Sequence, residues 1–264
     1  ATDGNGVHFL SHKKQQVTRR FYHDVSDKEG IRSNSVYSLL VDDRGAVWVG
    51  HFQAGLDYSL YQNGLFRTYA YPPLFNSANL SIRSFISRGQ EKVIGSRDGL
   101  FYINEATGMV KSFVKPVLTS DLILTISFYQ GEYYIGTYGG GMMVLNPETL
   151  SLKYFSQSDT ELFQKGHIFC VKPDTKGNLW IGTSQGLFNY NGQTKQIKHF
   201  TSANSQLPEG NVYEVSFDST GKGWIATETG MCIYDPASQN LRSNVFPEGF
   251  VNKDKVRTIY EDSD

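Results

Sequence analysis

The stretch Lys176–Leu187, "KGNLWIGTSQGL", has close relatives within the same chain. "GKGWIATETGM" at Gly221–Met231 and "RGAVWVGHFQAGL" at Arg44–Leu56 keep its order: a turn glycine, a tryptophan, a small residue two places on, and a further glycine before an apolar residue. That last glycine falls at Gly6, Gly55, Gly99, Gly141, Gly186 and Gly230, and Val7, Leu56, Leu100, Met142, Leu187 and Met231 follow. The period is about 44 residues, in the range of four-stranded propeller blades.

Other landmarks keep step. The aromatic slot reads Trp48, Val93, Tyr134, Trp180 and Trp224, and the small slot reads Gly50, Gly95, Gly136, Gly182 and Ala226. An Asp-x-x-Gly turn precedes three of the tryptophans, at Asp42–Gly45, Asp174–Gly177 and Asp218–Gly221. The second full unit lacks both the Asp and the Trp. The third keeps Gly131 but has Phe128 in place of the Asp.

Each unit predicts four short strands: in the fourth, "HIFCVKP", "NLWIGT", "GLFNYN" and "KQIKHFT". Asp bonds its own turn backbone and Gly accepts positive φ, so Asp-x-x-Gly fits a tight hairpin. The Trp and the small residue two places on share one strand face. A large ring beside a missing side chain lets the neighbouring sheet approach. The expectation is therefore all-β, a β-propeller built of four-stranded antiparallel blades in about six repeats.

The chain opens just after one unit's Trp and ends in "DKVRTIYEDSD", which matches "GNVYEVSFDSTG" up to the turn. A strand at Val256–Glu261 could pair with the first unit and close a ring of six. The alternative is a cut from a longer array. The units run over about 1–30 (partial), 31–76, 77–118, 119–163, 164–207, 208–249 and 250–264 (partial), within a single propeller domain or fragment.

Composition agrees. The 264 residues carry a net charge of −1, 14% aromatics and 26 glycines. The balance of charge offers no footprint for nucleic acid or an anionic membrane. No apolar run reaches the ~20 residues of a membrane span. With no leader and no initiator Met, the chain is expected to be a piece of a longer or processed protein. Cys170 and Cys232 are too few for a disulfide framework. They are read as small buried strand residues, a bridge between them being the alternative.

"SNSVYSLLVDDRGAVWVG", "GHIFCVKPDTKGNLWIGTSQGLFNY" and "LPEGNVYEVSFDSTGKGWIATETGMCIYD" resemble the two-component-regulator propeller repeat. The resemblance runs over nearly the whole chain. It is strong in the first, fourth and fifth full units and weak in the second and third. It implies the extracytoplasmic sensor part of a Bacteroides-type hybrid two-component system, with these repeats part of a seven-bladed ring or longer array. It further implies a periplasmic location on an inner-membrane protein, a histidine kinase outside this chain, oligosaccharide ligands, and a neighbouring propeller or subunit as partner in a homodimer.

Asp42, Asp174 and Asp218 are expected to be structural, together with Trp48, Gly50, Trp180, Gly182, Trp224 and Ala226. The same turn resembles the Asp-box of sialidase-like propellers and the tryptophan motif of quinoprotein propellers, where it lies away from the active site. His8 and His12 are spaced H-x-x-x-H, but the histidines are read as strand and loop residues, so no metal is expected. No cofactor motif and no phosphate-binding glycine loop are present, and Gly182–Gly186, which spells G-x-S-x-G, leads into the predicted strand "GLFNYN" and not into the helix a catalytic elbow needs. The ligand face is expected on the loops between second and third strands, which share one side with the blade-joining loops. Those loops offer Asp3, His51, Gln53, Arg97, Asp98, Tyr138, Gln185 and Glu228. The blade-joining loops add Tyr71, Phe75, Phe163 and Phe250, either sugar-stacking rings or plugs over the blade ends. The rival readings are a propeller-fold glycoside hydrolase or lyase, which needs two carboxylates facing across a substrate, and a protein-interaction platform without catalysis.

Overall fold

The computed structural model describes residues 4–11, 16–27, 29–60, 65–69, 80–155, 161–243 and 255–259. The chain divides into two compact units: Ala1–Ile123 with Asp264, and Leu124–Ser263. Both are built of β-propeller blades.

The first unit opens with a two-stranded sheet, β1 (Val7–Ser11) and β2 (Gln16–Phe21). A four-stranded blade follows: β3 (Val36–Val41), β4 (Ala46–His51), β5 (Leu56–Leu60) and β6 (Phe66–Thr68). The next is β7 (Ile82–Arg88), β8 (Glu91–Ser96), β9 (Leu100–Asn104) and β10 (Met109–Phe113). A third blade begins at the unit boundary: β11 (Ile123–Tyr129), β12 (Glu132–Thr137), β13 (Met142–Leu145) and β14 (Leu152–Tyr154). After the one-turn helix α1 (Leu162–Lys165) come β15 (Ile168–Pro173), β16 (Asn178–Thr183), β17 (Gly186–Asn191) and β18 (Ile197–Phe200). The last described blade is β19 (Val212–Phe217), β20 (Gly223–Thr227), β21 (Gly230–Asp235) and β22 (Asn240–Arg242). In every sheet, strands adjacent in sequence pair as neighbours.

The repeated letters meet at the hairpin turns. Trp48, Trp180 and Trp224 each donate Nε1–H to Oδ2 of Asp42, Asp174 and Asp218, at 2.8, 2.9 and 2.9 Å. Oδ1 of each Asp accepts two turn N–H groups, for example Lys176 and Asn178 at 2.9 and 2.8 Å. Gly177 closes that turn at φ 78°, a conformation that favours glycine.

The small slot meets the next blade. A Cβ on Gly182 would lie 2.5 Å from Cys170 Sγ and 2.7 Å from the carbonyl of Val212, the first residue of β19. A Cβ on Gly136 would lie 2.7 Å from Ile168, the first residue of β15. The missing side chain therefore sets the distance between sheets.

Cores form between successive sheets of one unit. In the first, Trp48, Leu56, Ile82, Ile94, Phe101 and Ile103 cluster, while Val7 and Ile31 of the opening segment pack on Val36, Val47, Val49 and Phe66. In the second, Trp180, Cys170 and Leu187 pack on Val212, Ile225 and Cys232. Both cysteines are free and buried, and burial pushes their thiols up to about 12. Phe163 on α1 is a plug: fully buried, it sits edge-on to Phe155 and Phe188 at 5.3 and 5.1 Å. Tyr71, Phe75 and Phe250 lie outside the described residues, as does the end of the expected strand Val256–Glu261. Residues 255–259 carry no strand, and Val256 N–H donates to the Thr227 carbonyl at 3.0 Å.

Candidate ligand face

One backbone bond ties the two loop sets of a blade together. The first residue after the second strand donates its N–H to the carbonyl just before the first strand. The pairs are Phe52 to Ser35, Arg97 to Ser81, Ser184 to His167 and Glu228 to Asn211, at 2.9 to 3.2 Å. The variable loop tips and the blade-joining loops thus form one surface in each of these four blades.

A second recurring feature lies beside it. In four blades the pairing of first and second strands slips by one residue at the same place, leaving Tyr37, Arg83, Phe169 and Tyr213 as the extra residues. A β-bulge re-aims the side chain of its extra residue. Three of these four are aromatic and the fourth is a guanidinium.

In the second unit these bulges build a ladder of rings. Tyr138, 49% exposed on the β12–β13 loop, stacks on His167 at 3.9 Å and 22°. His167 neighbours Phe169 at 6.3 Å, and Phe169 meets Tyr213 edge-on at 5.2 Å. The far end is charged: Lys255 Nζ and Arg257 Cζ lie 5.0 and 5.2 Å from the Tyr213 ring centre, within reach of a cation–π contact. Glu228 joins this end. Its Oε2 accepts Asn211 Nδ2–H at 2.9 Å, and its Oε1 accepts from Lys255 Nζ at 3.0 Å and Tyr213 OH at 3.2 Å. The bond from Lys255, against the opposing effect of burial, holds the Glu228 carboxyl below its usual range, so it is ionised at neutral pH.

In the first unit Tyr37 and Phe52 lie 5.1 Å apart, and Arg83 Cζ stands 5.1 Å over the Tyr37 ring. Arg83 Nε is buried with no hydrogen-bond partner.

The expected site residues divide accordingly. Tyr138 and Glu228 belong to the second unit's ladder. Gln185 is exposed in the same unit, on the β16–β17 loop, with its carbonyl held by His199 Nε2 at 2.8 Å. Gln53, Arg97 and Asp98 are exposed loop residues of the first unit. Asp3 lies outside the described residues.

His51 is different. It is fully buried at the end of β4, with Nε2 2.8 Å from Oδ2 of buried Asp57. Asp57 also takes Arg32 N–H at 2.8 Å and Arg32 Nε–H at 2.9 Å. In the other blades this position holds Ser96, Thr137, Thr183 or Thr227, whose hydroxyls donate to the carbonyls of Gly99, Gly141, Gly186 and Gly230 at 2.8 to 3.0 Å. The position belongs to the frame, so His51 is a latch inside the blade and not a ligand contact.

Residues 30–53 and 163–185 match the family model of the two component regulator propeller. Two segments of the chain therefore match this propeller repeat. No curated protein matches it. Among solved structures, the extracellular domain assigned to the hybrid two component system BT3049 of B. thetaiotaomicron gives a TM-score of 0.76 at 23% identity, covering 91% of this chain and 31% of that one. The extracellular domain assigned to the hybrid two component system BT4673 of the same organism gives 0.52 at 18%, covering 84% and 34%. PorZ of Porphyromonas gingivalis, a bacterial surface component of the type-IX secretion system, gives 0.63 at 15%, covering 90% and 35%. These likenesses concern the fold. The chain spans about a third of the length of each. Among the described residues no helix is long and apolar enough to cross a membrane.

Proposed function

We propose that this propeller chain is part of the extracytoplasmic sensor of a hybrid two-component system and binds an oligosaccharide without turning it over. The observation that carries the reading is the ladder Tyr138–His167–Phe169–Tyr213, closed at one end by the Asn211–Glu228 pair and two cations. Sugar rings present C–H faces that stack on aromatics and hydroxyls that pair with planar amides and carboxylates. The ladder supplies both, on loops and strand starts that a rigid frame holds in place.

Repeats of this family and the fold-level likeness to extracellular domains of hybrid two-component systems support the location: the periplasmic part of an inner-membrane protein whose kinase lies outside this chain. Signalling would follow from unequal affinity of the ligand for two arrangements of the ectodomain, with a neighbouring propeller or a second subunit as the responding partner.

The test is calorimetry of the intact ectodomain against glycan-derived oligosaccharides, with the sugars checked for cleavage. Binding without turnover, weakened about tenfold or more by Tyr213→Ala, is the expected result. Turnover makes the protein a propeller-fold hydrolase or lyase. Failure of every sugar to bind leaves an interaction platform.

A further inference from the structure

A cleft of about 460 Å³ opens at the other edge of the second unit's sheets, between the last strands β18 and β22. None of the residues lining it is acidic, and two are cations: Lys198 on β18 and Arg242 on β22. Its apolar floor is small, formed by buried Phe200 and Leu241. The remaining lining is amide, hydroxyl and imidazole.

Asn204, Gln206 and His199 are exposed yet held. Asn204 Nδ2–H donates to the His199 carbonyl at 3.0 Å, and Asn204 Oδ1 accepts Thr201 N–H at 2.8 Å. Gln206 Oε1 accepts Ser243 N–H at 3.1 Å, spanning from the linking loop to the end of β22. The His199 ring lies flat on Phe188, 3.9 Å away at 7°. Side chains already held in one geometry lose little freedom on binding.

The cations keep capacity for a ligand. Lys198 Nζ donates to the Gln239 carbonyl at 3.3 Å and lies 4.7 Å from the Phe200 ring centre. Arg242 Nη2 stands 3.4 Å from Asp235 Oδ2, with the Arg side chain 63% exposed. One half-buried carboxylate at that distance engages only part of a five-donor fork.

We propose that this cleft binds an acidic saccharide, Lys198 and Arg242 taking a sugar carboxylate and the Asn204, Gln206 and Asn240 amides taking hydroxyls. The ligand is polar along its length because the floor offers little apolar area, and anionic because both charges facing it are positive. The proposal does not rest on the aromatic ladder, which stands at the opposite edge of the sheets. Basic side chains on edge strands also discourage pairing with other chains, a role that by itself leaves such a ligand unbound.

The probe is trigalacturonic acid, titrated into the intact protein by calorimetry at low and high salt. Its methyl ester serves as the uncharged control and a triglutamate peptide as the acidic control. The expected result is salt-sensitive binding, weakened about tenfold or more by esterification and by the double variant Lys198→Gln/Arg242→Gln. Thermal melts of the variants establish that they fold, and the ester comparison needs no variant. The proposal is overturned by absence of binding at millimolar probe, by equal affinity for the ester or the peptide, or by binding that is lost with Tyr213 and kept in the double variant.

Discussion

Trp180 Nε1 and Asp174 Oδ2 lie 2.9 Å apart, and the other oxygen of the same carboxylate carries the turn that leads into the Trp strand. One side chain therefore satisfies a buried indole N–H and two backbone donors. The second and third full units lack Asp and Trp together, and there the hairpins shorten. Gly89–Gln90 and Gln130–Gly131 join strands that end at Arg88 and Tyr129. Without an indole donor and a four-residue turn, the carboxylate has nothing left to hold.

That coupling is measurable. Asp174→Ala orphans Trp180 Nε1, which is buried, and is expected to cost ~1–3 kcal/mol. Trp180→Phe removes the donor and leaves the Asp its turn. In the double variant the two losses should fall short of their sum by ~0.5–3 kcal/mol. Urea unfolding of the four proteins closes the cycle, and additive losses would show that the bond is incidental.

Acid should loosen these clips. Burial works to raise the Asp42 carboxyl, but the bonds from Trp48, Ala46 and Arg44, with Lys92 nearby, outweigh it and hold it below 3.8. At Asp218, bonds from Thr220, Trp224 and the turn backbone likewise outweigh burial. A folded value below the unfolded one means that the unfolded chain binds more protons through this window. The stabilisation is thus complete above about pH 5 and is lost as pH falls through the lowered folded values. Melting temperatures from pH 6 to 3 should drop, and Asp42→Asn/Asp218→Asn should flatten that drop. An unchanged slope would place the acid sensitivity elsewhere.

The frame was legible in the sequence because it is written repeatedly and its letters act locally. Asp, Gly and Trp serve one turn and one packing contact, so spacing alone exposes them. The ladder was only half legible. Tyr138 and Glu228 stand in loops where variation draws attention, whereas Phe169 and Tyr213 look like ordinary strand residues in "IFCV" and "VYEV". What re-aims them is the one-residue slip against the second strand, a property of pairing between segments. His51 was misplaced for the same kind of reason. One residue separates the strand end, where a hydroxyl closes the turn, from the solvent-facing tip.

The small slot separates packing from backbone strain. Gly182→Ala drives a Cβ against Cys170 and the Val212 carbonyl and is expected to cost ~1–3 kcal/mol. Gly177→Ala meets no atom within 4 Å and pays only for its φ of 78°, ~1 kcal/mol. If Gly177→Ala proves the more damaging by chemical denaturation, blade contact is not what selects the glycine after the Trp.

The His51–Asp57 latch makes the opposite kind of forecast, that a drastic pair of changes is tolerated. Asp57→Ala strips buried His51 of its Nε2 partner and is expected to cost ~3–5 kcal/mol. His51→Thr/Asp57→Phe instead writes the pattern of the fourth unit, where Thr183 bonds the Gly186 carbonyl and Phe188 stands at the Asp57 position. Arg32, 38% exposed, can then turn its charge to water. Replacing both members of a buried polar pair by groups that fit is often neutral. The double variant should therefore melt well above Asp57→Ala and near the parent. A double variant no better than Asp57→Ala would mean that this blade depends on the charged latch to hold its incoming loop.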